Sequence, residues 1–163
     1  MGLFDGLTSR QADIEKASRR AAWLRKARGE GKPETFTFLG FRHITRMNRQ
    51  GRFWVQRITD KKKMTAKLKS VKAELMRRRH LPVPEQGRWL ASVIKEHEAY
   101  YAVPGNAEAV QAFRYHVTRH WRFALSRRSQ KGRVTWERMS RLARRYLPTT
   151  RIRHPWPQAR FAA

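Results

Sequence analysis

The side chains that could supply acid–base or metal chemistry are scarce in this sequence. Twelve Asp and Glu accompany 38 Lys and Arg, and the three aspartates, Asp5, Asp13 and Asp60, fall in different predicted elements. Phosphoryl transfer with paired Mg²⁺ ions needs carboxylates that are held close together. Glu96 directly precedes His97, which is not the spacing of the HExxH metal-binding motif. We therefore predict no catalytic residue in this chain.

The histidines and the missing cysteines limit metal and cofactor binding in the same way. His116 and His120 are four residues apart on a predicted helix, but a pair without a carboxylate as third ligand favours a structural or RNA-contacting role over a metal site. The chain has no cysteine, which excludes disulfides and Cys-ligated zinc. The segment GEGKPET lacks the glycine spacing of nucleotide-binding loops. The sequence therefore predicts neither a metal nor a cofactor.

Basic side chains are the one chemical group that the sequence supplies in quantity. The formal net charge of +26 would repel itself strongly unless a polyanion neutralised it. Residues 61–80 contain nine Lys or Arg and a single acid, Glu74, whereas surface helices usually intersperse acids among their bases. A membrane surface fits less well, because the apolar stripe of this segment has no Trp or Phe. This pattern favours a nucleic acid as the partner.

The elements that must position these residues include one predicted β-hairpin. Its strands are TFTFLGFRHIT and RFWVQRIT, joined by RMNRQG, and Gly40 is expected at a bulge or a close backbone approach. A surface helix over residues 9–28 is predicted before the hairpin.

Beyond the hairpin the apolar spacing changes to a helical period. It predicts helices over about 60–79, 85–101, 106–129 and 136–147, with Asn106 and Thr135 as N-cap residues. The aromatic side chains of Tyr100 and Trp136 are predicted to face inward. The fold class is therefore mainly α, with one β-hairpin followed by a three- to four-helix bundle and an extended tail.

Membrane association is not predicted. No apolar run approaches the ~18 residues that span a bilayer, and the opening MGLFDGLTSRQAD lacks the basic-then-apolar order of a signal peptide. We expect a cytoplasmic protein.

The order of these elements resembles the C-terminal part of bacterial group II intron-encoded reverse transcriptase/maturases. The motifs KPETFTFLGF, YYAVPGN and RRSQKGRVTWERM carry the resemblance, in that order, over about residues 14–161. The resemblance implies that residues 14–58 are the end of a polymerase palm and that 59–147 form a thumb-like, maturase-specific bundle. Residues 1–13 are then an unrelated or disordered start, and 148–163 an extended tail. Phe38, Leu39, Gly40 and Phe41 match the hairpin motif of the family.

The resemblance also implies a function. Family members bind their structured intron RNA and assist splicing, whose chemistry belongs to the RNA, and their thumb grips template–primer duplex. The positions implied to face RNA are Lys61, Lys62, Lys63, Lys67, Lys69, Arg77, Arg78, Arg79, Arg114 and Arg122.

The chain departs from the family pattern where the polymerase site is concerned. The fingers and the Tyr-X-Asp-Asp motif have no counterpart in the sequence, so this chain alone is expected not to polymerise DNA. One alternative is that it completes a split RNA-directed DNA polymerase with a separately encoded fingers–palm fragment. Another is that it is a non-specific basic nucleic-acid-binding protein.

Overall fold

The structure is a computed structural model that describes residues 16–17, 19–30, 35–47, 49–51, 53–129 and 132–155. These residues belong to two compact units. One holds the described residues up to Asp60 together with Pro155, and the other is Lys61–His154. We call them the sheet unit and the helical unit.

The sheet unit contains a short helix and a three-stranded antiparallel sheet. Helix α1 is described at residues 16–17 and 19–27, and the part of its predicted range before residue 16 lies outside the described residues. The strands are β1 (Phe36–Phe38), β2 (Phe41–Met47) and β3 (Phe53–Thr59), in the order β1-β2-β3. The predicted hairpin corresponds to β2 and β3.

The prediction of a bulge at Gly40 is wrong, because the chain turns there. Leu39 and Gly40 both have positive φ, 49° and 77°, between the paired residues Phe38 and Phe41. Positive φ at both central residues is typical of the type I′ turn, whose twist matches that of two antiparallel strands. The motif FLGF therefore makes a second hairpin, which adds β1 to the sheet.

A buried histidine lies at the centre of this small sheet. His43 on β2 is 1% exposed, and its ring stacks on Phe36 of β1 with centroids 4.8 Å apart. Burial, and then the charge of Arg57, lowers the pKa of His43. The apolar face of β1 is thus covered in part by a histidine, which the alternation of phenylalanines did not predict.

The described residues of the helical unit form four helices. They are α2 (Lys61–Arg77), α3 (Val83–Tyr101), α4 (Ala107–Ser126) and α5 (Trp136–Tyr146). The sheet and these helices confirm the predicted mainly α fold class with a small antiparallel sheet. None of the described helices is long and apolar enough to cross a membrane.

The core of the helical unit follows the predicted apolar stripes. The inward residues of helix α4 that its apolar spacing predicts are all buried; they are Val110, Phe113, Val117, Trp121 and Leu125. Helices α3 and α5 approach each other closely at Gly87, where a Cβ atom would come within 2.6 Å of Tyr146 Cγ. The residues with the least exposure at the centre of this core are Leu75, Leu90, Ile94, Phe113, Val117, Trp121 and Met139.

The two predicted N-caps behave differently. The Thr135 hydroxyl accepts a hydrogen bond from the backbone N–H of Arg138 at 3.3 Å, as an N-cap should. Asn106 occupies the N-cap position of α4, but its side chain makes no capping bond. Its amide instead donates to the Tyr101 carbonyl at 2.8 Å, which ties the start of α4 to the end of α3.

Two aromatic side chains that were predicted to face inward are largely exposed. Tyr100 at the end of α3 is 47% exposed, and Trp136 at the start of α5 is 42% exposed. Both lie at helix ends, where fewer neighbouring side chains are available to cover them.

Candidate nucleic-acid interface

Helix α2 presents the lysines that were predicted to contact RNA. Lys61, Lys62 and Lys69 are exposed, while a separate stripe of the helix, Leu68, Val71 and Leu75, is buried in the core. At 100° per residue the three lysines lie within about a third of a turn of one another. The side chains therefore share one solvent-facing side of a helix whose position is set by the core.

The predicted arginines at the end of α2 are held by internal contacts. Arg77 and Arg78 both contact the carboxylate of Glu74, with N–O distances of 3.4 and 2.6 Å, and the Arg78 guanidinium lies 5.0 Å from the Trp89 ring centroid. Arg79 donates to a carbonyl oxygen in the last turn of the helix at 3.0 Å. The hydrogen bond from Arg78 lowers the pKa of Glu74, which keeps this carboxylate ionised between the two arginines.

Arg114 and Arg122 connect α4 to the segments around α5. Arg114 Nε donates to the Pro148 carbonyl and Arg122 Nε to the Val134 carbonyl, each at 2.8 Å. Arg122 also lies over the Trp136 ring, 4.7 Å from its centroid. A guanidinium has five N–H donors, so one bond to a carbonyl leaves charge and donors for a further ligand. Arg114 and Arg122 therefore stabilise the packing of α4 and keep donors that a ligand can use.

Lys63, which is exposed, and Lys67, which is half-buried, line a cleft between α2 and α3. Lys67 contacts Glu96 at 3.5 Å. The cleft has a volume of about 480 Å³. Its lining residues are Lys63, Met64, Lys67, Glu96, His97, Tyr100 and Tyr101. The predicted cations of α2 are therefore divided between two different surfaces.

His97 at the base of this cleft is a buried, neutral ring. It stacks on Phe113 with centroids 3.7 Å apart and an interplanar angle of 11°. Burial, and then the charge of Lys67, lowers the pKa of His97 from 6.5 to about 4. The ring is neutral at physiological pH and does not act as a cation for a phosphate.

The low pKa of His97 predicts that the helical unit loses stability in mild acid. Unfolding lets the imidazole bind a proton below its ordinary pKa of 6.5, whereas the folded protein resists protonation until about pH 4. The contribution is complete above about pH 6.5 and declines as the pH falls toward 4. Chemical unfolding followed by circular dichroism at several pH values measures it.

The matched variant for this pH dependence is His97→Phe, which keeps a ring against Phe113. It should show a smaller loss of stability between pH 6.5 and pH 4 than the unmodified protein. Part of the loss should persist, because burial also lowers the pKa of His120 on α4. An unchanged pH profile in the variant would show that His97 is not the responsible group.

The histidine pair of α4, His116 and His120, has no third metal ligand among the described residues. Within the described ranges, no group of three or more His, Asp or Glu side chains could hold a metal ion. Burial, and then the charges of Lys72, His116 and Arg119, lower the pKa of His120. The same positive surroundings would repel a cation.

Helix α5 carries a basic face that sequence reasoning did not single out. Met139 and Ala143 are buried, and the other side of the helix is exposed. The signal was present in WERMSRLARR, where the two core residues are four apart and arginines fill the outward positions. These exposed arginines are Arg138, Arg141, Arg144 and Arg145.

The acids of the helical unit do little to offset this charge. Residues 61–154 contain 24 Lys and Arg but six Glu and no Asp. Four of the glutamates are paired within the unit: Glu74 as described, Glu96 with Lys67, Glu137 with Arg141 at 3.7 Å, and the buried Glu98 with Arg153 at 2.9 Å. The surface that remains for a partner is strongly positive.

The hairpin motif lies in the sheet unit, apart from these cations in the sequence. Phe41 is buried there, and Leu39 at the turn is 40% exposed.

Comparisons of the chain with protein-family models, with curated proteins and with solved structures found no match. The function is therefore argued from the charge and geometry of the helical unit.

Proposed function

We propose that this chain binds structured RNA of the group II intron type and assists its splicing as a maturase does. The observation that carries the proposal is the exposed lysine set of α2, Lys61, Lys62 and Lys69, on a helix that its buried stripe anchors in the core. The arginines of α5 add a second basic face to the same unit. In this proposal the RNA performs the chemistry, and the protein stabilises its active fold.

The kind of contact follows from the residues. Lys61 and Lys69 are eight residues apart, which corresponds to about 12 Å along a helix. A row of lysines at such spacing can meet successive phosphates but carries no base-reading pattern. Double-stranded RNA is recognised mainly through shape and backbone, because side chains cannot read its deep, narrow major groove. Lysines on a rigid helix suit that mode of binding.

Neutralising the α2 lysines should weaken RNA binding without weakening the fold. In a Lys61→Gln/Lys62→Gln/Lys69→Gln variant we expect the slope of log K against log salt to decrease in magnitude by about 0.7–0.9 for each lost phosphate contact. The melting temperature should change little, since exposed substitutions usually stay within about 0.5 kcal/mol. Fluorescence anisotropy with a labelled intron RNA, measured over a salt series, gives both the affinity and the slope.

A charge-matched control separates this surface from general basicity. Arg88→Gln/Lys95→Gln/Arg151→Gln removes three exposed cations outside α2 and α5 and leaves the net charge equal to that of the test variant. The control should lose distinctly less affinity than the α2 variant. Equal losses would favour the non-specific basic binder. Equal affinity of the unmodified protein for intron RNA and for a random duplex at physiological salt would exclude the maturase role.

A further inference from the structure

Three aromatic side chains are exposed together with cations on another part of the helical unit. On α4, Tyr115 is 54% and Phe123 is 39% exposed, and Trp136 at the start of α5 is 42% exposed. Tyr115 and Trp136 form a parallel pair, with centroids 6.2 Å apart and an interplanar angle of 10°. We call these three residues the aromatic surface. Exposed large apolar side chains that lie side by side, as Tyr115 and Trp136 do, mark an interaction site more often than scattered ones.

The position of Trp136 is fixed by the segment that precedes it. The Val134 N–H donates to the Ser126 hydroxyl at 3.2 Å, and the Val134 carbonyl accepts from Arg122 at 2.8 Å. Thr135 then caps α5. The indole ring is therefore presented at the start of α5, directly after residues that are held by hydrogen bonds.

Each side of the aromatic surface also carries positive charge. The Arg122 guanidinium lies 4.7 Å from the Trp136 centroid, and Lys72 Nζ and the Arg127 guanidinium lie 5.0 and 5.2 Å from the Phe123 centroid. A suitable partner must therefore combine flat apolar groups with closely spaced negative charge. An acidic peptide supplies the charge without regularly spaced rings, and paired RNA hides its rings inside the duplex. Unpaired RNA exposes both bases and phosphates.

We propose that the aromatic surface stacks unpaired bases of single-stranded RNA while the neighbouring cations contact its phosphates. The inference rests on the proposed RNA binding and adds a division of labour: α2 meets the backbone of paired RNA, and the aromatic surface receives loops or ends. Tyr115 and Phe123 are eight residues apart on α4, about 12 Å along the helix, so more than one nucleotide can be engaged.

The experiment compares two labelled probes on the full chain, a single-stranded oligonucleotide of about 12 nucleotides and a blunt RNA duplex of the same length. In a Tyr115→Ala/Trp136→Ala variant the affinity for the single strand should fall by about 5- to 150-fold for each stacked base lost. Duplex affinity should stay within about twofold of the unmodified protein. Circular dichroism melting checks that the variant folds.

Two further variants test stacking without removing the side-chain volume. Tyr115→Phe/Trp136→Phe keeps flat rings and should retain most of the single-strand affinity, whereas Tyr115→Leu/Trp136→Leu keeps apolar volume and should not. Equal binding by the Phe and Leu variants, or equal losses on both probes, would overturn the inference and leave the proposed RNA binding intact. If the unmodified protein binds the intron RNA but not the single strand, the inference is overturned and the proposed function stands. If it binds neither the intron RNA nor either probe, the proposed function itself fails.

Discussion

Replacing Arg153 with methionine should lower the free energy of unfolding of the helical unit by about 1–3 kcal/mol, because a buried carboxylate loses its hydrogen-bonding partner. The cost is smaller than for a fully buried ion pair, since the Arg153 side chain is 46% exposed and solvent screens its charge. Glu98 on α3 is 0% exposed, and its Oε2 accepts from Arg153 Nε and Nη2 at 3.1 and 2.9 Å. Its other oxygen, Oε1, accepts no hydrogen bond from the described residues. Arg153 therefore supplies the charge compensation that this carboxylate has in the structure.

The backbone around Arg153 places the guanidinium for this contact. The N–H groups of Arg153 and His154 both donate to the Ala102 carbonyl, at 2.9 and 3.2 Å, and the His154 ring contacts the Ala99 carbonyl at 2.7 Å. These bonds satisfy carbonyl groups at the end of α3, which have no partners inside the helix. The segment that was predicted as an extended tail thus completes the end of a helix and neutralises a buried acid.

A double variant shows whether the buried charge causes the loss. Adding Glu98→Gln to Arg153→Met removes the carboxylate along with its partner, and stability should recover part of what the single variant loses. Urea unfolding followed by circular dichroism gives the three free energies. A loss below about 1 kcal/mol in Arg153→Met, or no recovery in the double variant, would mean that water reaches Glu98 when the arginine is absent.

The helices of the helical unit could be predicted from sequence because apolar spacing alone determines them. Val110, Phe113, Val117 and Trp121 repeat at helical intervals, and each is buried. Such a stripe has one stable solution, which is burial against neighbouring stripes. The same reasoning fails at helix ends, where Trp136 has the right spacing but too few neighbours to cover it.

The turn at Gly40 and the side-chain bonding of Asn106 depend on local geometry that spacing does not reveal. The backbone of Leu39 has a positive φ, which is uncommon for residues other than Gly, Asn and Asp. Because leucine does not signal a turn of this kind, the residue pattern resembled one strand with a bulge. Asn106 occupies the predicted N-cap position, but its NH2 group donates to the Tyr101 carbonyl and its side chain makes no capping bond. At both places two local structures fit the residue pattern, and the spacing of apolar residues does not distinguish them.

The positive charge of the candidate site could be predicted from sequence. Which cations make contacts within the fold, and which remain for a ligand, could not. Lys61, Lys62 and Lys69 are exposed as expected. Arg114 donates to a carbonyl 34 residues away, and that contact exists only once α4 and the segment after α5 are packed together. Sequence reasoning can count cations on a helix, but which of them are used internally is a property of the tertiary structure.

Replacing Gln86 with methionine should destabilise the helical unit by at least about 2 kcal/mol, although the side-chain volume is nearly conserved. Gln86 is 0% exposed, and its Oε1 accepts from the Trp121 indole N–H at 2.9 Å. Its Nε2 donates toward the carbonyls of Arg78 and Leu81 at 2.7 and 3.0 Å. Each buried polar group left without a partner costs about 1–3 kcal/mol.

The carbonyls have some protection that the indole lacks. The Arg128 side chain also donates to the carbonyls of Arg79, at 2.6 Å, and Leu81, so the turn between α2 and α3 keeps part of its hydrogen bonding in the variant. Among the described residues, Gln86 is the partner of the Trp121 N–H. Most of the loss should therefore come from burying that N–H unpaired.

A double-mutant cycle with Trp121→Phe tests this assignment. Phenylalanine has no N–H to satisfy, so Gln86→Met should cost about 1–3 kcal/mol less in that background than in the unmodified chain. Ser92→Ala is the matched control, because it removes a 2.7 Å side-chain bond to the Trp89 carbonyl on an exposed face and should change stability by less than about 0.5 kcal/mol. If Gln86→Met costs the same in both backgrounds, the glutamine stabilises the turn after α2 and not the indole, and the core tolerates an unpaired tryptophan at its centre.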